Sequence, residues 1–203
     1  MRFVLLALSM FFSLSVSASS LQGLGMFEVL NKPWFMVGLH SERSQPGITS
    51  SIEIRIVEER ITQQRFRQLW IDAFAISLSD EVWQRHAADF EHIVSLLHGP
   101  LLANDQIVIE RQGRESVLSI NLKEHARYSS ELIDVIVTAL TNRVVLSSTL
   151  RAGLLGQLSD KEARDLNRDF YRLIPSLSRI AETSRWLRVK SSQVNNLAGS
   201  PSV

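Results

Sequence analysis

The sequence predicts an α+β fold, with a mainly antiparallel sheet and helices grouped on one face. Three observations carry that reading. Residues 51–57 alternate cleanly, with Ile52, Ile54 and Ile56 on one side and Glu53 and Arg55 on the other. A period of two marks a half-buried strand. Residues 105–110 (DQIVIE) and 116–122 (SVLSINL) are two more strands, joined by Arg111-Gln112-Gly113-Arg114 in the manner of a hairpin. Blocks of helical period lie between and after these strands, an order typical of α+β chains.

The chain opens with a segment that is not part of the fold. Met1-Arg2 is followed by FVLLALSMFFSLSV and then by Val16-Ser17-Ala18, with small residues at the two positions a signal peptidase reads. This is the pattern of a secretory signal peptide cleaved after Ala18. The apolar run stops short of the roughly 18–20 residues a membrane-spanning helix needs. No later stretch is long and apolar enough to span a bilayer. The chain is expected to be exported.

The remaining 185 or so residues fit one domain. Setting Arg2 aside leaves 21 basic residues against 21 acidic ones. That balance argues against nucleic acid, which calls for a basic face. The absence of cysteine removes disulfides and thiolate metal sites.

Taken in order, residues 24–30 and 34–40 read as two strands with a tight connection, Pro33 sitting at a strand start. Residues 41–49 read as a loop. Residues 62–74 carry Phe66, Leu69, Trp70 and Ala73 at helical spacing, with Thr62 as N-cap. A second helix runs over 80–97 and is stopped by Gly99-Pro100. A third covers 130–142. Residues 146–156 form a short helix capped by Ser147, Ser148 or Thr149 and ended by Gly156. Residues 159–174 are a last, highly charged helix with a capping-box pattern at Ser159 and Glu162. Pro175 breaks it, and a helical pattern resumes towards residue 188. Residues 191–203 are a polar tail that reads as disordered.

Strong catalytic signatures are missing: there is no GxGxxG, Walker loop, HExxH, GxSxG or CxxC. His86 and His92 stand six apart on one helix and point in widely different directions. They, with His98 and His125 (the latter in KEHARY, read as a polar loop), read as solvated side chains. The pair Glu58 and Glu59 reads as a solvated turn. No metal ligand set, cofactor site or catalytic residue is expected. The aromatic residues Trp34, Phe35, Phe66, Trp70, Phe74, Trp83 and Phe90 suit a packed core, but a pocket between sheet and helices would be lined by the same types.

The stretches KPWFMVGLH, IEIRIVEERITQQRFRQLWIDAF, and LLANDQIVIE taken with STLRAGLLG resemble the bacterial chalcone-isomerase-like proteins over about residues 23–156. The resemblance implies a curved antiparallel sheet packed against a layer of helices, with a cleft between. Plant enzymes of that superfamily close a flavanone ring in the cleft. Related members bind fatty acids there, holding the carboxylate with an arginine and a tyrosine. This sequence departs from the pattern in two places. No arginine occurs between Arg2 and Arg43, and His40 stands where the tyrosine is expected. A cyclase needs cationic and hydroxyl groups where charge develops.

The expectation is therefore an exported, non-catalytic binder of a small apolar or amphipathic ligand such as a fatty acid, and the resemblance implies the periplasm as its address. Trp34, Phe35 and Trp70 are expected as walls, and His40 or Arg55 as the polar anchor. An isomerase or intramolecular lyase using the same cleft is the alternative. A third reading is an interaction module whose charged helix, 159–174, docks on an envelope partner. The expected layout is a signal peptide (1–18), an α+β domain (19–156), a helical extension (157–190) and the tail (191–203).

Overall fold

The computed structural model describes residues 19–42 and 45–187. The expected signal peptide, the tail and residues 188–190 of the extension lie outside the described residues.

The elements are β1 (Ser19–Val29), β2 (Lys32–Glu42), β3 (Thr49–Ile56), β4 (Arg60–Ile61), α1 (Gln63–Ser77), α2 (Asp80–Ser95) and β5 (Leu101–Leu102). They continue with β6 (Gln106–Gln112), β7 (Glu115–Ile120), β8 (Lys123–Ser129), α3 (Glu131–Thr141), α4 (Ser148–Leu154), α5 (Asp160–Arg172) and α6 (Leu177–Ser184). One six-stranded sheet runs β1-β2-β3-β6-β7-β8, and β4 pairs with β5 apart from it. Every pairing is antiparallel. The architecture is α+β, as the sequence predicts.

Local chemistry sets the helix starts. The Thr62 hydroxyl accepts from the Arg65 N–H, Ser79 from Val82, and Ser147 from Leu150. Each satisfies a backbone donor that the first helical turn leaves open. Ser159 and Glu162 form the expected reciprocal capping box.

The alternation of the strands sorts residues to two faces. Phe35, Val37 and Leu39 of β2, with Ile52, Ile54 and Ile56 of β3, enter the main core. There they meet Phe66, Leu69, Trp70 and Phe74 of α1, Phe90 and Ile93 of α2, and Ile133 and Ile136 of α3. The opposite face carries Leu24, Met36, Glu53 and Arg55. Here the structure differs from the expectation of helices on one face only: α5 covers this second face. Phe170 packs on Leu24 and Met36 in a smaller apolar cluster of its own. Gly38 leaves room for it, because a Cβ there would come within 3.0 Å of the Phe170 ring. Residues 157–187 are thus a structural layer rather than an appendage.

Two short stretches also differ from the sequence reading. KEHARY is the core of strand β8, not a loop, with His125 and Tyr128 buried. Its pattern is broken by a bulge opposite Leu118 and Ser119, which hides the alternation. His86 and His125 are buried rather than solvated, at 5% and 8% exposure. His125 reaches the Lys123 and Thr183 carbonyls, and His86 lies against the Phe90 ring.

Two hairpin turns have an unusual composition. Leu30-Asn31 joins β1 to β2 with φ of 54° and 60°, and Asn121-Leu122 joins β7 to β8 with φ of 46° and 69°. Both central residues of such turns are left-handed, so Asn-Gly is the favoured pair. A leucine there costs about 1–2 kcal/mol of backbone strain.

Candidate functional site

The interior between sheet and helices is filled by a continuous run of rings. Phe27 stacks on Phe35 at 4.5 Å, and Phe35 meets Phe66 at 6.2 Å. The series continues through Trp70 at 5.6 Å and Phe74 at 4.6 Å to Phe90 at 4.3 Å. Phe35 and Trp70 are 1% and 2% exposed. The cavity found there, beside Phe27, Ala73 and Leu150, measures about 10 Å³, at or below the space one water needs. Phe35 and Trp70, two of the three expected wall residues, are therefore packed core, and the third, Trp34, belongs to the same buried cluster at 8% exposure. Trp34 sits near the start of β2, with the Lys32 ammonium 4.5 Å and the Arg65 guanidinium 4.7 Å from its ring centre. The indole N–H groups of Trp34 and Trp70 find no acceptor.

The expected polar anchors lie on the other face and come together there. Glu53 and Arg55 stand two apart on β3, so they share a face, and the register places His40 of β2 beside them. Arg55 Nε donates to Glu53 Oε1 at 2.5 Å, and His40 Nε2 approaches Glu53 Oε2 at 3.2 Å. The Gln106 amide also donates to Glu53. Burial pushes the Glu53 carboxyl up. The approach of His40, the amide of Gln106 and the charge of Arg55 outweigh it and hold the carboxyl below its ordinary value. Arg55 Nη1 donates to the Phe170 carbonyl at 2.6 Å and the Leu173 carbonyl at 3.1 Å. The Phe170 ring covers its guanidinium at 4.2 Å. This arginine therefore serves the chain's own second layer. Its carboxylate partner is Glu53.

Sequence reasoning missed a cavity at the open edge of β1. The helix α4 lies backbone to backbone on β1. A Cβ on Gly23 would strike the Leu154 carbonyl, one on Gly25 that of Leu150, and one on Gly153 that of Leu24. Gly156, at φ 66°, ends the helix, and Gln157 N–H closes it on the Ala152 carbonyl at 2.8 Å. The chain then rounds the β1 edge, since α4 is on one face and α5 on the other. The fork holds a cavity of about 310 Å³ lined by Leu21, Gly23, Leu24, Gly153, Leu158 and Ala163, with Gln22, Arg164 and Asn167 as polar groups. The volume is at the lower end of the range for small-molecule sites, about 300–1,000 Å³. Arg164 has no ion-pair partner among the described residues. A signal was present in the sequence: LQGLG and STLRAGLLG are two glycine-bearing stretches, and glycines allow such a close approach.

No group of three or more ligating side chains able to hold a metal ion occurs among the described residues. No helix among them is long and apolar enough to cross a membrane.

No protein-family model matches the sequence. No curated protein matches it either. Among solved structures, a fatty-acid binding protein of Arabidopsis thaliana matches with a TM-score of 0.50 at 11% identity, over 68% of this chain and 86% of that one. At that identity the likeness speaks to fold. Together with the antiparallel sheet and its helical layer, it gives this chain an α+β fold of the chalcone-isomerase-like type.

Proposed function

We propose that the chain is an exported, periplasmic, non-catalytic binder of a small amphipathic ligand of the fatty-acid class, held in the fork between β1, α4 and α5. The observation that carries this reading is the cavity itself: about 310 Å³, apolar walls from Leu21, Leu24 and Leu158, and Arg164 with Asn167 as polar groups. An acyl chain would take the apolar wall, and an anionic head would meet the Arg164 guanidinium. The fatty-acid binding neighbour of the same fold supports the ligand class. Binding is favoured over turnover because His40, Glu53 and Arg55 are engaged with one another and with α5.

Native mass spectrometry of the mature chain tests this, purified without detergent and then offered lauric or palmitic acid. A bound species of a few hundred daltons is expected. It should be lost in Ala163→Trp, which fills the fork, and weakened in Arg164→Glu. Retention in Ala163→Trp with loss in Trp70→Ala would move the ligand to the ring-filled interior, where the Trp70 N–H lacks an acceptor. A clean apo mass with no uptake of either acid would refute binding altogether.

A further inference from the structure

The four most exposed large apolar side chains among the described residues are Leu30 at 95%, Leu177 at 85%, Ile174 at 66% and Leu122 at 65%. Topology gathers them. In an antiparallel sheet ordered β1-β2-β3-β6-β7-β8, the β1–β2 turn and the β7–β8 turn fall at the same end. Leu30 stands in the first turn and Leu122 in the second. The start of β6 is at that end too, since the Gln106 N–H donates to Asn121 Oδ1 at 2.8 Å. Ile174 lines a cleft with Leu102 and Asn104, just before that start, and Arg179 of α6 is bound there to Asp105. Leu177 opens α6. One end of the sheet therefore carries an apolar rim. Its two turns are separated by four strand spacings, roughly 19 Å.

Single exposed leucines are ordinary on a protein surface. This rim is different in two respects. Leu30 and Leu122 occupy left-handed turn positions that favour asparagine or glycine, so the fold itself gains nothing from leucine there. The tips also project from two-residue turns rather than lining a groove. A rigid protein partner would need matching hollows for them, whereas a bilayer interface accepts separate projecting side chains. The cations Arg60 and Lys123 lie at the same end, exposed and without ion-pair partners among the described residues; the exposed carboxylates there are Glu59, which is unpaired, and Glu124 and Glu182, which are paired with Arg127 and Arg179. Cations beside apolar tips suit an anionic lipid surface.

We infer that this end of the sheet docks on a lipid bilayer, with Leu30, Leu122, Ile174 and Leu177 entering the interface and Arg60 and Lys123 facing anionic headgroups. The inference is independent of the ligand fork, which lies near the start of β1, at the other end of the strand.

Flotation of the mature chain with vesicles of phosphatidylethanolamine and phosphatidylglycerol, three to one, tests it. The variant is Leu30→Asn with Leu122→Gly, which removes both tips while giving each turn residues it prefers. Wild type should float with the vesicles. The double variant should partition at least tenfold less, since withdrawing one leucine from water changes partitioning by about one to two decades. Its melting temperature should be unchanged or higher, so loss of binding cannot be ascribed to unfolding. Pure phosphatidylcholine vesicles should bind less than the anionic ones. Wild type that stays with the soluble fraction, or a double variant that floats equally well, overturns the inference. So does a concentration-dependent dimer lost in the same variant without flotation, which would assign the rim to a second copy of the chain.

Discussion

Replacing Arg55 by methionine removes a charged group that ties the end of α5 to the sheet. Arg55 is 9% exposed and Glu53 is 8% exposed. Without the guanidinium, Glu53 stays buried with only His40 and the Gln106 amide beside it. The Phe170 and Leu173 carbonyls also lose their donor. Removing one partner of a buried pair costs about 3–5 kcal/mol, because the other charge is left uncompensated. For a chain of this size each kcal/mol moves the melting temperature by roughly 2–4 °C, so Arg55→Met should lower it by about 6–20 °C. Urea unfolding of Arg55→Met, Glu53→Gln and the double variant forms the cycle. The double variant should be more stable than the two single losses together imply, by about 1–3 kcal/mol. Acid should report the same pair. Glu53 has its folded pKa lowered from 4.5, so its contribution is complete above 4.5 and is lost as pH falls through the folded value. Glu53→Gln should flatten that acid limb. A cost below about 1 kcal/mol for Arg55→Met, or strict additivity in the cycle, would refute the assignment of Arg55 as the tie.

Arg179→Ala should destabilise by about 3–5 kcal/mol in the same assay, because Asp105 is fully buried and Arg179 donates to both its oxygens, at 2.9 and 2.8 Å. Gly153→Ala should cost about 1–3 kcal/mol or more, since its methyl would strike the Leu24 carbonyl; a neutral result in urea unfolding would mean α4 can lift off β1 freely. Burial, with the charge of Asp89, raises the Tyr128 phenol well above its ordinary 10.0. Its stabilising share is complete below pH 10 and lost as pH rises towards the folded value. Melting scans should show stability falling above pH 10 in wild type and a shallower fall in Tyr128→Phe, whose own baseline drops by about 1 kcal/mol for the lost hydrogen bond to His92.

Elements with a strong single period were legible in the sequence. Ile52, Ile54 and Ile56 announce a strand, and Thr62, Ser147 and Ser159 cap helices as their chemistry requires. The second layer was not read, although its trace was there. Trp34 to Leu39 is apolar at every position but Gly38, and a strand buried on both faces gives such a run instead of alternation. Only one face of β2 could be covered by α1 to α4, so a second cover was implied. The strand β8 was hidden because charged residues flank its two buried side chains and a bulge shifts its register. The site was less legible than the fold. Residue type placed Phe35 and Trp70 equally well in a core or a wall, and the volume between facing side chains decides which; sequence carries no such volume. The sequence offers His40 and Arg55 as separate anchors, and only the strand register shows that Glu53 joins them.

The charge pattern of α5 bears on how the chain meets its surroundings. Arg168 pairs with Asp165 at 2.8 Å and Asp169 at 3.3 Å, and Arg172 lies 3.8 Å from Asp169. These groups are exposed and already satisfy one another, so each pair contributes little to stability. A partner docking over Arg168 and Arg172 would have to strip water from charges that gain no new counter-ion, which disfavours that part of the helix as a binding surface. Its inner face is committed as well, through Phe170 and the Arg55 bonds. Deleting residues 157–203 would therefore not remove a docking arm. It would expose Met36 and Leu24 and leave Glu53 and Arg55 open to solvent, so loss of solubility is the expected result. A docking contact is better sought where apolar groups are exposed and cations lack partners, at the rim formed by Leu30, Leu122, Ile174 and Leu177. Point substitutions there leave the second layer in place and separate docking from folding.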